Sequence, residues 1–71
     1  MSVLSAVIIP DEDGGYVSQN PETGTTSQGD TIDEALNNLK EATELYLEEF
    51  PHHYFGKSFM TTFEIEDAKA S

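Results

Sequence analysis

The stretch that most constrains this chain is Ser27-Gln28-Gly29-Asp30-Thr31 running directly into Ile32-Asp33-Glu34-Ala35-Leu36. A polar turn ends at a glycine, and an N-cap residue then launches an amphipathic helix that extends to about Phe50. Thr31 and Glu34 stand at capping-box spacing. The threonine hydroxyl can accept from the Glu34 amide, and the Glu34 carboxylate can reach back to the Thr31 amide. Ile32, Ala35, Leu36, Leu39, Ala42, Tyr46 and Phe50 recur at helical spacing, a stripe wide enough to cover one face of a sheet. Pro51 stops the helix.

The remaining segments read as strands. Val3 to Ile9 carries apolar side chains on both faces, the pattern of a strand in the middle of a sheet. Pro10 to Gly15 is a turn, and Tyr16 to Asn20 is the returning strand, with Tyr16, Ser18 and Asn20 on one face. Pro21-Glu22-Thr23-Gly24 is a second turn, followed by a short, polar third strand over Thr25 to Gln28 suited to a sheet edge. Beyond the helix, Ser58 to Ile65 alternates: Phe59, Thr61, Phe63 and Ile65 share one face, Met60, Thr62 and Glu64 the other. The expectation is an α+β fold, a single β-β-β-α-β domain over residues 1–66 with a tail at 67–71. Its mixed four-stranded sheet has the order 3-2-1-4, with the fourth strand parallel to the first. One helix covers one face of that sheet, and the other face has nothing in the chain to cover it.

Seventy-one residues with 37% apolar content make one small domain with a thin core, so burial against a second copy or a partner is expected, as a homodimer or tetramer. There is no cysteine, which excludes disulfides, thiol catalysis and cysteine-based zinc sites. The apolar run at the N-terminus is too short for a signal peptide or a membrane span, and a cytoplasmic location follows. Fourteen acidic residues face three lysines and no arginine, for a net charge of −11. Such a chain repels phosphate backbones and anionic membranes, so direct nucleic-acid binding is not expected. The charge favours a cationic protein partner.

Candidate chemistry is sparse. Asp11, Asp13 and Glu22 match positions one, three and twelve of a calcium loop, but the sixth position is Tyr16 rather than glycine. The same carboxylates sit on turns rather than converging from neighbouring strands, as a two-metal hydrolase site needs. His52 and His53 are adjacent and point apart, offering one good ligand at most. No catalytic residue, metal or cofactor is expected. Glu41, Glu44, Glu48 and Glu49 crowd the C-terminal half of the helix, where the macrodipole disfavours negative charge and only Lys40 offsets it. A solvated face explains this arrangement; a docking surface for a basic partner explains it too.

Taken in order, Gly15-Tyr16-Val17, Pro21-Glu22, Ser27 to Thr31, Glu34-Ala35-Leu36, Asn38 to Ala42 and Glu44 to Glu48 resemble the HicB antitoxin family. The likeness runs from about Val3 to Glu49. It implies a partial ribonuclease-H-like domain without catalysis, the antitoxin of a type II toxin–antitoxin pair. It also implies a partner: a small basic HicA-type toxin, an mRNA interferase whose active site the antitoxin covers. Within that resemblance the toxin-binding residues are Tyr16, Ser18, Asn20, Glu22, Gln28 and Asp30, with Glu44 and Glu48 steering approach. Two departures stand out. Pro21 to Thr26 is one residue shorter than the corresponding family loop and lacks its second proline and its cysteine, and the C-terminal DNA-binding segment of many relatives, with its operator binding, is not expected here. The alternatives are a stand-alone structural or regulatory homodimer without a toxin, and a metal-dependent hydrolase using Asp11 to Asp13.

Overall fold

The structure is a computed structural model that describes residues 2–51 and 56–67. Three short strands, β1 (Val7–Pro10), β2 (Tyr16–Gln19) and β3 (Thr26–Gly29), precede one helix, α1 (Ile32–Glu49). The strands form an antiparallel sheet in the order β1-β2-β3, and the fold is α+β. Both connections are tight turns. In the first, the Asp11 amide donates to the Gly15 carbonyl at 3.0 Å, and Gly15 takes a left-handed φ of +77°. A Cβ on Gly15 would also lie 2.8 Å from the Gly29 carbonyl oxygen, so glycine is required there twice over. In the second, the Asn20 amide donates to the Thr25 carbonyl at 2.9 Å.

The helix begins as its cap dictates. Thr31 is extended and its hydroxyl accepts from the Glu34 amide at 3.0 Å. The returning half of the capping box shifts by one residue: Glu34 Oε1 accepts from the Asp30 amide at 2.6 Å rather than from Thr31. The Phe50 amide closes the last turn on the Tyr46 carbonyl at 2.8 Å, and the Tyr46 and Phe50 rings lie 5.1 Å apart between centroids. The last turn carries no basic residue.

The strand register decides which residues lie under the helix. Ile8, Ser18 and Ser27 are aligned across the sheet, and Ser18 is fully buried with its hydroxyl donating to the Ala35 carbonyl at 2.8 Å. That row therefore faces α1. The rows on either side, Ile9-Val17-Gln28 and Val7-Gln19-Thr26, face away from it. Close approach is possible because the inward residues are small. A Cβ on Gly29 would sit 2.5 Å from the Ala35 nitrogen, so β3 and the first turn of α1 are nearly in backbone contact.

Three expectations need correction. The first strand is Val7–Pro10 rather than Val3 to Ile9, and it lies at an edge of the sheet, with Val3 and Ile9 exposed. The buried stripe of α1 is Ala35, Leu39 and Thr43, narrower than the apolar pattern suggests, with Ile32 and Leu36 at the helix start exposed over a sheet only three strands wide. Residues 58–67 form no strand within the chain; Phe59, Met60, Phe63 and Ile65 are between 72% and 93% exposed. Their alternation is a strand pattern without a sheet beside it. His52 and His53 lie outside the described residues.

Candidate functional site

The largest fully buried side chains are Glu22, Asn20 and Ser18, all polar. Glu22 and Asn20 are the centre of a hydrogen-bonded knot at the β2–β3 turn. Glu22 Oε1 accepts from the Ser5 amide at 2.6 Å and from Asn20 Nδ2 at 2.8 Å, while Oε2 accepts from the Ser58 amide at 2.9 Å. One carboxylate thus joins the lead-in to β1, the turn and the segment after the helix. Asn20 Nδ2 also donates to the Ser5 carbonyl at 2.6 Å, and its Oδ1 accepts from the Thr23 amide at 2.9 Å and from the Thr23 hydroxyl. Hydroxyl contacts continue from Thr23 to Thr25 at 2.8 Å and from Thr25 to Thr43 on the helix at 2.7 Å. Among the described residues, no buried side-chain nitrogen or oxygen lacks a partner.

Burial by itself would push the Glu22 carboxyl upward. The amides of Ser5 and Ser58 and the side chain of Asn20, all donating to the ionised form, overcome that and hold it down at about 2. Glu22 is therefore a fixed internal anion whose lone pairs are committed to holding three segments together.

This placement reassigns several residues expected on a contact surface. Ser18, Asn20 and Glu22 lie inside the molecule and present no side-chain surface to a partner. Tyr16 is half-buried at the end of β2. Gln28 is exposed on the sheet face away from the helix, its carbonyl accepting from Asn38 Nδ2 at 2.8 Å. Asp30, Glu44 and Glu48 are exposed, but Asp30 lies at the helix start and the glutamates roughly 20 Å further along its axis. The structure therefore does not gather the eight residues into one patch. It places an acidic hairpin tip (Asp11, Glu12, Asp13) at one end of β2 and Glu22 beyond the other, which separates the members of the calcium-loop pattern. Among the described residues, no group of three or more histidine, aspartate or glutamate side chains is arranged to hold a metal ion.

Sequence reasoning missed Ser5, Thr23, Thr25, Thr43 and Ser58 as partners in the knot. Only Thr43 carried a signal, standing four residues after Leu39 and eight after Ala35 on the same stripe. Every carboxylate in the described residues except Glu22 is exposed.

A three-stranded antiparallel sheet under one capped helix, with its largest fully buried side chains polar, defines a small α+β protein whose surface carries a heavy excess of carboxylates beside an exposed apolar segment. By its sequence the chain belongs to the family described as "Family of unknown function (DUF7387)", whose model matches residues 5–69. It is also similar to UPF0150 proteins from distant organisms. It is 50% identical over 40 residues to ssr1258 of Synechocystis sp., covering 55% of this chain and 58% of that one. A Helicobacter pylori relative is 47% identical over 45 residues, covering 63% and 62%. Ta0767 of Thermoplasma acidophilum is 44% identical over 50 residues, covering 69% and 72%. The chain thus spans about six tenths of the length of the first two of these relatives. No solved structure matches it. No helix among the described residues is long and apolar enough to cross a membrane.

Proposed function

We propose that the chain is an antitoxin-like binding protein that neutralises a small basic ribonuclease of the HicA type by covering its active site. The observation that carries this reading is the net charge of −11, with Glu22 alone among the described carboxylates withdrawn into the interior. A surface of that sign raises the encounter rate with a cationic protein and repels the RNA that such a protein would otherwise bind. The exposed glutamates Glu41, Glu44, Glu48 and Glu49, in the helix's C-terminal half, whose last turn carries no basic residue, are the steering patch, with Gln28 and Asp30 as further contacts. The resemblance to HicB antitoxins supports the same partner and a non-catalytic, cytoplasmic role. It also supports a partial ribonuclease-H-like sheet of order 3-2-1-4 in the assembled state, with the segment at 58–65 as the fourth strand beside β1.

Co-expression tests the reading. A small basic protein encoded beside this gene should arrest growth alone, and this chain should restore it. Reversing two charges, Glu44→Lys with Glu48→Lys, should slow association with that protein by about tenfold at low salt. Growth arrest that this chain leaves unrelieved would remove the antitoxin reading. In that case the exposed apolar segment after the helix favours the second reading, a stand-alone homodimeric module.

A further inference from the structure

Two deficits in this chain match each other. Residues 58–65 have a strand-forming pattern but pair with no sheet, and among the described residues β1 is a sheet edge with no strand on its outer side. We infer that the segment Ser58 to Ile65 is an exchange arm that pairs with the free β1 edge of a second copy of this chain, two arms crossing reciprocally.

The first support is area. A compact chain of 7.8 kDa exposes about 4,400 Å² by the usual scaling with mass. This one exposes 6114 Å². The excess of roughly 1,700 Å² per copy, taken over two copies, is of the size that obligate homodimers bury. The radius of gyration agrees: 14.8 Å, against about 11 Å for a compact domain of this length.

The second support is where the apolar surface lies. On the sheet face away from the helix, the β1 side and the strand next to it carry Val7, Ile9 and Val17, whereas β3 carries Thr26 and Gln28. Apolar surface is therefore concentrated beside the open edge. The arm presents Phe59, Phe63 and Ile65 on one face at the matching period of two.

The third support selects the occupant. The arm carries one charged residue, Glu64, and its alternation sets that residue on the face opposite Phe59, Phe63 and Ile65, so the apolar face offers nothing to a partner recognised through this chain's acidity. A second copy supplies both an apolar face and an open edge, and one two-fold operator satisfies both copies at once. Glu22 fixes the root of the arm through the Ser58 amide, so the arm leaves the domain from a defined point. The exchange does not depend on the toxin reading, and it supplies in trans the fourth strand of the order 3-2-1-4.

The test uses the full chain, which has no cysteine of its own. Light scattering at micromolar concentration should give twice 7.8 kDa, and Phe59→Lys with Phe63→Lys should halve it while leaving the helical circular dichroism unchanged. An Ile9→Cys chain and a Phe63→Cys chain, refolded together and oxidised, should yield a covalent dimer of one each. A natural chain at monomer mass would overturn the inference. So would a chain carrying both Ile9→Cys and Phe63→Cys that closes its disulfide within one copy, or a dimer in which the mixed single-cysteine chains fail to link.

Discussion

The β2–β3 turn and the segment after the helix invert the usual distribution of polarity. At the turn, a carboxylate, an amide and a threonine are inside; beyond the helix, two phenylalanines, a methionine and an isoleucine are outside. Each polar group inside is stable there because it has a partner. Glu22 takes three donors, and Asn20 satisfies both its oxygen and its amide. Each apolar group outside is unfavourable for the opposite reason, since water is its only neighbour. Among the described residues the buried polar side chains are thus all satisfied, while these apolar side chains are left uncovered. The contrast teaches that polarity alone does not sort this chain into core and surface; the availability of partners does.

The sharpest way to break the comparison is at Glu22. Glu22→Ala leaves the amides of Ser5 and Ser58 and the Asn20 side chain without their acceptor, at a cost on the order of 3 kcal/mol in a domain this small. A urea midpoint unchanged within error would show that the knot contributes nothing. Acid gives an independent measure. The folded carboxyl, at about 2, lies below its ordinary value of 4.5, so the unfolded chain binds more protons between those limits. The stabilisation from Glu22 is therefore present above about pH 4.5 and is lost as pH falls toward about 2. Over that window the urea midpoint should fall less steeply for Glu22→Gln than for the natural chain.

A second test lies at the seam between sheet and helix. Gly29→Ala would place a methyl 2.5 Å from the Ala35 nitrogen and 2.9 Å from the Glu34 Cβ, backbone and side chain that move only together with the helix start. The expected loss is about 1–3 kcal/mol, read as a lower urea midpoint. No change would mean that α1 lifts freely from β3.

Much of this seam was legible beforehand. The Thr31 cap, the helix to Glu49 and the two hairpins are set by residues within a few positions of one another, and local spacing reports local bonds. The face shared by Tyr16, Ser18 and Asn20 was also legible, but not that the helix lies on it. A serine and a glycine look like surface residues until the helix backbone needs the space their small side chains leave. The knot was not legible at all. Glu22 meets Ser5 across 17 positions and Ser58 across 36, and Pro-Glu-Thr-Gly reads locally as nothing more than a polar turn. The apolar alternation at 58–65 is legible and its period is that of a strand; what periodicity does not carry is whether a sheet lies beside it.

The smallest effect bears on the outer half of the comparison. Phe59 is 93% exposed, so within one copy Phe59→Ser removes almost no buried surface. In dilute solution, where copies are separate, its unfolding free energy should differ from that of the natural chain by less than about 0.5 kcal/mol. Raising the concentration should separate the two proteins. The natural chain gains stability by mass action as arms find edges, and the serine variant gains less. Added salt should widen the gap, because it screens the repulsion between two copies that each carry −11. Binding to a cationic partner would weaken under the same salt, so one titration distinguishes the apolar arm from the acidic surface. If the two thermal midpoints stay parallel from nanomolar to near-millimolar protein, the exposed phenylalanine has no role in self-association, and the outer half of the contrast is only solvated surface.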